Sequence, residues 1–542
     1  MPVERLSRTE GVKSCLDSYL LLEKKFIAPP QIQLELISRV PPGIDEVSVR
    51  DIVITTAVQC YASGVAKLKP RPDERSISIA ESTLKAGHHT TRQHATYTWK
   101  LEGVSRSLVH DVLHANPFYN SEQQSQRYVE AMQGNYLVPA GLSEKQGKIF
   151  SESGDFANTA YFRLLEMLEP EVERRISQMY PKGGWKVERT EERLTSKIKK
   201  LSQEVARYVL PIAQKTTLDH TLSELQLLRL FRASQMPHFS DEARFVIGKM
   251  VQEVAEQDGS ILEELDIPLP VQEESLFHEE YITQQKAEFD QALGNNQSIL
   301  SAIPDNSRRV LSASVHNILG LPSSQLTESD SLAHLMDPSK NQSLVDIYEI
   351  GIMDPLTSTL RVVSVSYATR LSHTADSQRQ RHRRTPGATP PLEAIYDGIP
   401  DYMTPLVIRE SSQLFATYCE FMTTIYCNIE KAIEAGIPRE HALLLLPNAQ
   451  NVRVVESGDL FDWIHRWKQR LCYLAQEEIF FISVEQVKQL RDTFPEAERI
   501  LLAPCGIRQT AGIKPRCPEE DRWCGRPVYN WDIDNYPHNR LI

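Results

Sequence analysis

Residues 204–214 read EVARYVLPIAQ, and residues 440–450 read EHALLLLPNAQ. The two segments agree at six of eleven positions without a gap, in the pattern Glu-x-Ala-x-x-x-Leu-Pro-x-Ala-Gln. Chance does not give that agreement, so the chain reads as a duplication and its fold as two related units. Each copy follows one helical stretch and precedes another. Ahead of the second copy, Leu414, Tyr418, Phe421, Ile425 and Ile429 fall on one helical face. Gly436 fits the stop of that helix, and Pro438 the first turn of the next. Ahead of the first copy, FANTAYFRLLEMLEPEVERRI (156–176) and ERLTSKIKKLSQEV (192–205) carry the same periodicity, and the charged stretch YPKGGWKVERTEERL (180–194) lengthens that copy.

Working outward, HATYTWKLEGV (94–104) alternates as a strand does, and TLRVVSVSYA (359–368) is β-branched. Each unit is therefore expected to be α+β, a small antiparallel sheet with a helical bundle. The expected boundaries are 1–258 for the first unit and 341–500 for the second, with 501–542 as a tail containing cysteines. Residues 259–340, rich in Glu, Gln, Asn and Ser, read as a linker with one or two short helices.

Bulk properties restrict the function. The 542 residues carry 60 basic and 72 acidic side chains, a net charge of −12 and a pI near 5.8. A nucleic-acid-binding face is not expected, because counterion release requires a basic surface. A local basic pocket for a small anion is compatible with that balance. No apolar run approaches the ~20 residues of a membrane span, and no secretory leader is read at the N-terminus. Eight cysteines are too sparse for a disulfide scaffold, so a cytoplasmic location is expected. In the tail, Cys505, Cys517, Cys524 and His538 could form a structural zinc site, although the spacing lacks a C-x2-C knuckle. Reduced, merely buried thiols remain the alternative.

The local basic candidate is SQRQRHRRTPGATPP (377–391), either a phosphate- or flavin-binding cluster or a solvated basic face. A second segment decides how to read it. GHHTTRQHATYTWKLEGVSRSLVHDVLHANPFYNSEQQSQRYVEA (87–131) resembles the flavin-dependent thymidylate synthases, the ThyX family, through Gly87-His88, Val104-Ser105-Arg106 and Ser125-Gln126-Arg127-Tyr128. Where that family has Arg-His-Arg, this half reads Leu113-His114-Ala115, and its Gln is replaced by His110. The second half is the converse. Gln378 stands three residues before Arg381-His382-Arg383, but Pro391 follows where Ser-x-Arg-Tyr belongs. In the repeated motif the first half keeps the family's arginine as Arg207, while the second has Leu443. DLFDWIHRWKQRLCYLAQEEI (459–479) supplies His465, Arg470, Gln476 and Glu478. The losses are complementary, as in a fused pair that keeps one of two pseudo-symmetric sites; undirected decay would not sort them so.

The resemblance implies reductive methylation of dUMP to dTMP, with FAD as cofactor and with methylenetetrahydrofolate and NADPH as co-substrates. It implies Arg470 as the catalytic cation beside the uracil. Gln378, Arg381, Ser125, Gln126, Arg127 and Arg207 would bind the nucleotide. Arg381, His382, Arg383, His88 and Thr90 would contact the flavin, with Asp459 and His465 as weaker carry-overs. Family members are homotetramers with sites between subunits, so two of these fused chains are expected to form a homodimer imitating that tetramer. Two alternatives stay open: a non-catalytic flavin- or nucleotide-binding paralogue, and a flavoenzyme that modifies a different pyrimidine nucleotide.

Overall fold

Side-chain alternation builds the first sheet. Along β2 (Thr96–Ser105), Tyr97, Trp99 and Leu101 are buried, while Thr96 and Glu102 on the other face are exposed. The computed structural model describes residues 8–37, 47–68, 70–115, 118–179, 191–265 and 278–542; the insertion at 180–190 lies outside them. β2 pairs antiparallel with β1 (Gln31–Ile37) on one side and with β4 (Lys215–Ser223) on the other, Trp99 facing His220. β3 (Asn120–Gln123) closes the far edge against β4, giving the order β1-β2-β4-β3.

The second sheet repeats this order with β5 (Ser298–Ala302), β6 (Ser364–Ser372), β8 (Asn451–Asp459) and β7 (Gly387–Ala388), as β5-β6-β8-β7. The expected strand at 359–368 is displaced. Thr357–Val362 form a 3-10 helix, and extended pairing begins at Ser364. The expected linker at 259–340 also needs correction. It contains β5 and the helices Ile282–Leu293, Ser307–Leu319 and Glu328–Met336, so the second unit begins earlier. β5 is only five residues long and pairs on one side, which leaves too little alternation for a sequence reading to detect.

The repeated motif lies on the pseudo-twofold axis. Pro211 bridges Pro447; the Ile212 amide donates to the Leu446 carbonyl and the Asn448 amide to the Leu210 carbonyl. Ala213 to Leu444 and Ala449 to Tyr208 form the next symmetric pair. Each bond has its mate at the equivalent positions of the other motif copy, so the sequence repeat is also a structural one.

Long helices seal the two units together. Glu144–Met179, of 36 residues, packs on Ser412–Glu434, with Phe156 edge-on to Phe421 at 6.3 Å. Gly436 follows the second helix at φ +76°, the left-handed stop expected for it. One continuous core runs from Tyr136 and Phe150 of the first unit through the second unit to Tyr536 and Ile542 of the tail. The tail is thus a packed part of the second unit. No described helix is long and apolar enough to cross a membrane.

Candidate active site

Equivalent latches fix the strand ends that carry the site. At the end of β2, Ser105 donates from its amide and hydroxyl to Glu242, at 2.7 and 2.6 Å. At the end of β6, Ser372 does the same to Glu478, at 2.6 and 2.5 Å. Both serines also cap the helices that follow. In the second unit the capped helix His373–Arg379 delivers Gln378 and leads into Arg381–Arg383.

Arg470, the last residue of the helix Leu460–Arg470, reaches that segment. Its Nε donates to His382 Nε2 at 2.8 Å, Nη2 to the Gln378 carbonyl at 2.9 Å, and Nη1 to Gln378 Oε1 at 3.3 Å. His382 is buried, and desolvation followed by the charge of Arg470 holds its pKa well below the usual value. A neutral imidazole that accepts at Nε2 fixes the guanidinium plane without competing for charge.

The first unit supplies the facing wall. Ser125–Tyr128 form a turn in which the Ser125 hydroxyl accepts from the Arg127 amide at 3.2 Å. Arg127 pairs with Glu204, and its Nη2 donates to the Leu474 carbonyl of the second unit at 2.7 Å. Asn448 donates to Gln126 Oε1 at 3.4 Å and to the Arg207 carbonyl at 3.1 Å. Arg207 is buried in a 3-10 turn opened by the repeated motif. Residues from both units therefore meet within a single chain.

Three buried donors here have no hydrogen-bond partner among the described residues: Arg106 Nε, Gln126 Nε2 and Arg207 Nη2. Leaving such groups unpaired costs about 1–3 kcal/mol each, more when charged, unless a ligand satisfies them. The field agrees. Arg470 is pushed down to about 9 by burial and then by Arg466, Arg127 and Arg381; Arg106 is pushed to about 9 by burial and then by Arg207 and Arg381. Guanidiniums that depress one another in a desolvated site are set to receive an anion. Arg106 is not among the residues that the resemblance singles out for binding, although the Val-Ser-Arg match contains it.

A cavity of about 1060 Å³ opens between Arg127, Glu204 and Lys200 of the first unit and Arg470, Leu474 and Ala475 of the second. A smaller cavity of about 390 Å³ has His238, Phe239 and Glu440 at the positions that the repeat makes equivalent to Leu474, Ala475 and Glu204. The two cavities are thus mates across the pseudo-axis.

Other expected residues fall outside this cluster. His88 and Thr90 sit exposed after Gly87 and line neither cavity. Arg383 lies over the Tyr119 ring at 5.0 Å and lines the smaller cavity. Asp459 caps the Leu460–Arg470 helix, its carboxylate accepting from the Asp462 amide at 2.9 Å. His465 Nδ1 lies 3.1 Å from Glu349. Among the described residues, no group of three or more donor atoms within 4.8 Å of one another includes Cys505, Cys517, Cys524 or His538. The three cysteines instead join Cys472 in the wall of the larger cavity, and burial raises each thiol of that wall that titrates abnormally, Cys472 and Cys505 to about 12.

Two related α+β units of one chain close a guanidinium-rich cavity between them. The family model described as thymidylate synthase complementing protein matches residues 44–258 and again 323–496, and the chain belongs to that family as a tandem duplication. Its curated relatives include the flavin-dependent thymidylate synthase of Clostridium tetani, 29% identical over 208 residues, covering 38% of this chain and 76% of the relative. That of Mycobacterium sp. is 28% identical over 202 residues, covering 37% and 70%. Among solved structures, the UMP/dUMP methylase PolB of Streptomyces cacaoi, bound with 5-Br dUMP, covers 43% of this chain and 93% of its own at 15% identity and a TM-score of 0.30.

Proposed function

We propose that the chain is a flavin-dependent thymidylate synthase, converting dUMP to dTMP with methylenetetrahydrofolate and NADPH at one composite site per chain. The supporting observation is the set of unpaired buried donors, Arg106 Nε, Gln126 Nε2 and Arg207 Nη2, opposite Arg470 and Gln378 of the other unit. The three donors suit a nucleotide phosphate, with the Ser125–Arg127 turn beside them. Arg127 keeps its bonds to Glu204 and Leu474 and acts mainly by its charge and by joining the walls.

Arg470 stands where a uracil ring would meet a fixed cation. Held in plane by His382 and Gln378, its guanidinium stabilises negative charge developing on the pyrimidine carbonyl edge. Gln378 orients the same edge through its amide. Arg381 and the arginines after it suit the isoalloxazine and pyrophosphate of FAD. When bound, the flavin supplies hydride chemistry that no side chain can provide. NADPH is the electron source and methylenetetrahydrofolate the carbon donor. Two chains would provide the four units of the family assembly, so a homodimer is proposed.

The test is release of tritium from dUMP labelled at C5, in the presence of methylenetetrahydrofolate and NADPH. Release that depends on all three, by a yellow flavin-containing protein, supports the reading. A flavin-loaded protein that binds dUMP without releasing tritium overturns it in favour of a binding role.

A further inference from the structure

At the interface of the two units, beside the smaller cavity, four ionisable side chains converge that the proposed reaction does not use. His110 Nδ1 lies 2.6 Å from Asp111 Oδ1, and its Nε2 lies 2.5 Å from Asp376 Oδ2 across the interface. The His373 ring sits 4.2 Å from that of His110. His373 is 3% exposed, and neither of its nitrogens has a hydrogen-bond partner among the described residues. Donor atoms of His110, Asp111 and His373 all lie within 4.8 Å of one another.

We infer that His110, Asp111 and His373 bind a divalent first-row transition ion, of which Zn²⁺ is the reference, with Asp376 as the outer carboxylate. Two imidazoles and a carboxylate with an open fourth position are a common donor set for such ions. Ligand atoms around a tetrahedral ion stand roughly 3.3 Å apart, which follows from metal–ligand lengths of about 2.0–2.1 Å. The His110–Asp111 pair, at 2.6 Å, opens to reach that spacing, and the remaining donor pairs lie within 4.8 Å. Asp376, itself paired with Arg379, accepts from His110 Nε2 and leaves Nδ1 facing Asp111 and His373. That is the outer-sphere arrangement that fixes a ligating histidine. Binding replaces the proton shared by His110 and Asp111, which leaves as the ion enters. Partly exposed Asp111 and buried His110 both line the smaller cavity, which gives the ion an entry and an open coordination position.

The sequence supports the placement. His373 follows Ser372 as Arg106 follows Ser105, so one unit carries an anion-binding guanidinium where the other carries an imidazole. In the repeated motif the second unit likewise has Leu443 where the first has Arg207.

The experiment titrates the full, chelator-treated chain with Co²⁺ and with Zn²⁺ in competition. One equivalent should bind, with visible ligand-field absorption and no thiolate charge transfer. His373→Ala should weaken binding at least tenfold. Asp111→Asn, a near-isosteric change at a partly exposed position, should do the same while the thermal unfolding curve confirms the fold. No binding by the wild-type chain overturns the assignment. So does affinity unchanged in both variants, which would place the ion elsewhere, for example at Asp241, Glu440 and His441. Thiolate charge-transfer bands would overturn it in favour of the cysteine wall.

Discussion

Position 207 and position 443 occupy the same place in the repeated motif, on either side of the pseudo-axis at Pro211 and Pro447. One is a buried arginine with an unpaired Nη2; the other is a leucine, fully buried in the core. The backbone around them is the same, down to matched hydrogen bonds. Duplication therefore preserved the frame, while each half kept different side chains. In the larger cavity Arg127 and Arg470 come from different units, and in the smaller cavity the same frame presents His238 and Phe239 where the larger has Leu474 and Ala475. A frame held by backbone bonds and a shared core tolerates such exchange, because the cost of losing a site residue falls on function and not on folding.

The sharpest way to break this comparison is to ask whether one chain owns one site. Arg470→Ala should lower kcat by roughly 10²–10³-fold, the scale for removing a preorganised donor to developing charge. When Arg470→Ala chains are refolded together with Arg207→Ala chains and assayed at subsaturating dUMP, activity should stay at the level of the two separate variants. Arg127 reaches Leu474 within its own chain, so no exchange between chains can rebuild a site. Recovery of activity on mixing would show that the walls come from different chains.

Next come the paired substitutions at the motif itself. Arg207→Ala removes the proposed charged donor to the phosphate, worth about 1.5–3 kcal/mol, and should raise the KM for dUMP roughly 10- to 100-fold with little change in melting temperature. Leu443→Ala removes buried apolar volume and should cost about 2–5 kcal/mol of stability with KM unchanged. Steady-state kinetics and thermal unfolding of the two variants separate these effects. Equal behaviour would mean that Arg207 is a structural residue.

The latches offer a smaller contrast. Glu478 accepts from the Ser372 amide and hydroxyl and from the Tyr208 hydroxyl at 2.6 Å, whereas Glu242 accepts only from Ser105 among these groups. Glu478→Ala strands one more buried donor than Glu242→Ala and should be the more destabilising by about 1–3 kcal/mol in denaturant unfolding. Tyr208 belongs to the first unit, so Glu478→Ala should also loosen the cavity walls and raise the KM for dUMP.

How much of this was legible beforehand depended on the kind of signal. The repeat, the two central strands and the helix ending at Gly436 rest on periodicity and on residue types with specific backbone roles, which survive in one dimension. The proposed split of Gln378 and Arg470 from Ser125 and Arg207 rests on arginines in motif positions, which are chemically conspicuous in one dimension. β5 was not, being a five-residue edge strand whose pairing is set by β6. Nor could spacing show that Cys472 stands with the tail cysteines in the wall of the larger cavity, or that Asp376 reaches His110 from the other unit. Such contacts are made by the packing of one unit on the other, and no local pattern encodes them.

The last contrast lies inside the sheets. His220 of β4 and Glu456 of β8 are equivalent under the repeat, and both are fully buried. Glu456 is neutralised by Arg466 at 2.5 Å, with Arg379 nearby at 3.4 Å. His220 has no partner at either nitrogen among the described residues, and burial lowers its pKa to about 3. An unfolded histidine titrates near 6.5, so between about 6.5 and 3 the unfolded chain binds a proton that the folded one refuses. The stability His220 permits is fully present above 6.5 and is lost as pH falls, by roughly 1.4 kcal/mol for each pH unit inside that window. His220→Leu removes the titration. Denaturant unfolding measured between neutral pH and pH 5 should therefore show a shallower acid decline in the variant than in the wild-type chain. An unchanged slope would mean that His220 takes up a proton in the folded state, and that the first sheet, like the second, provides a counter-charge at this position.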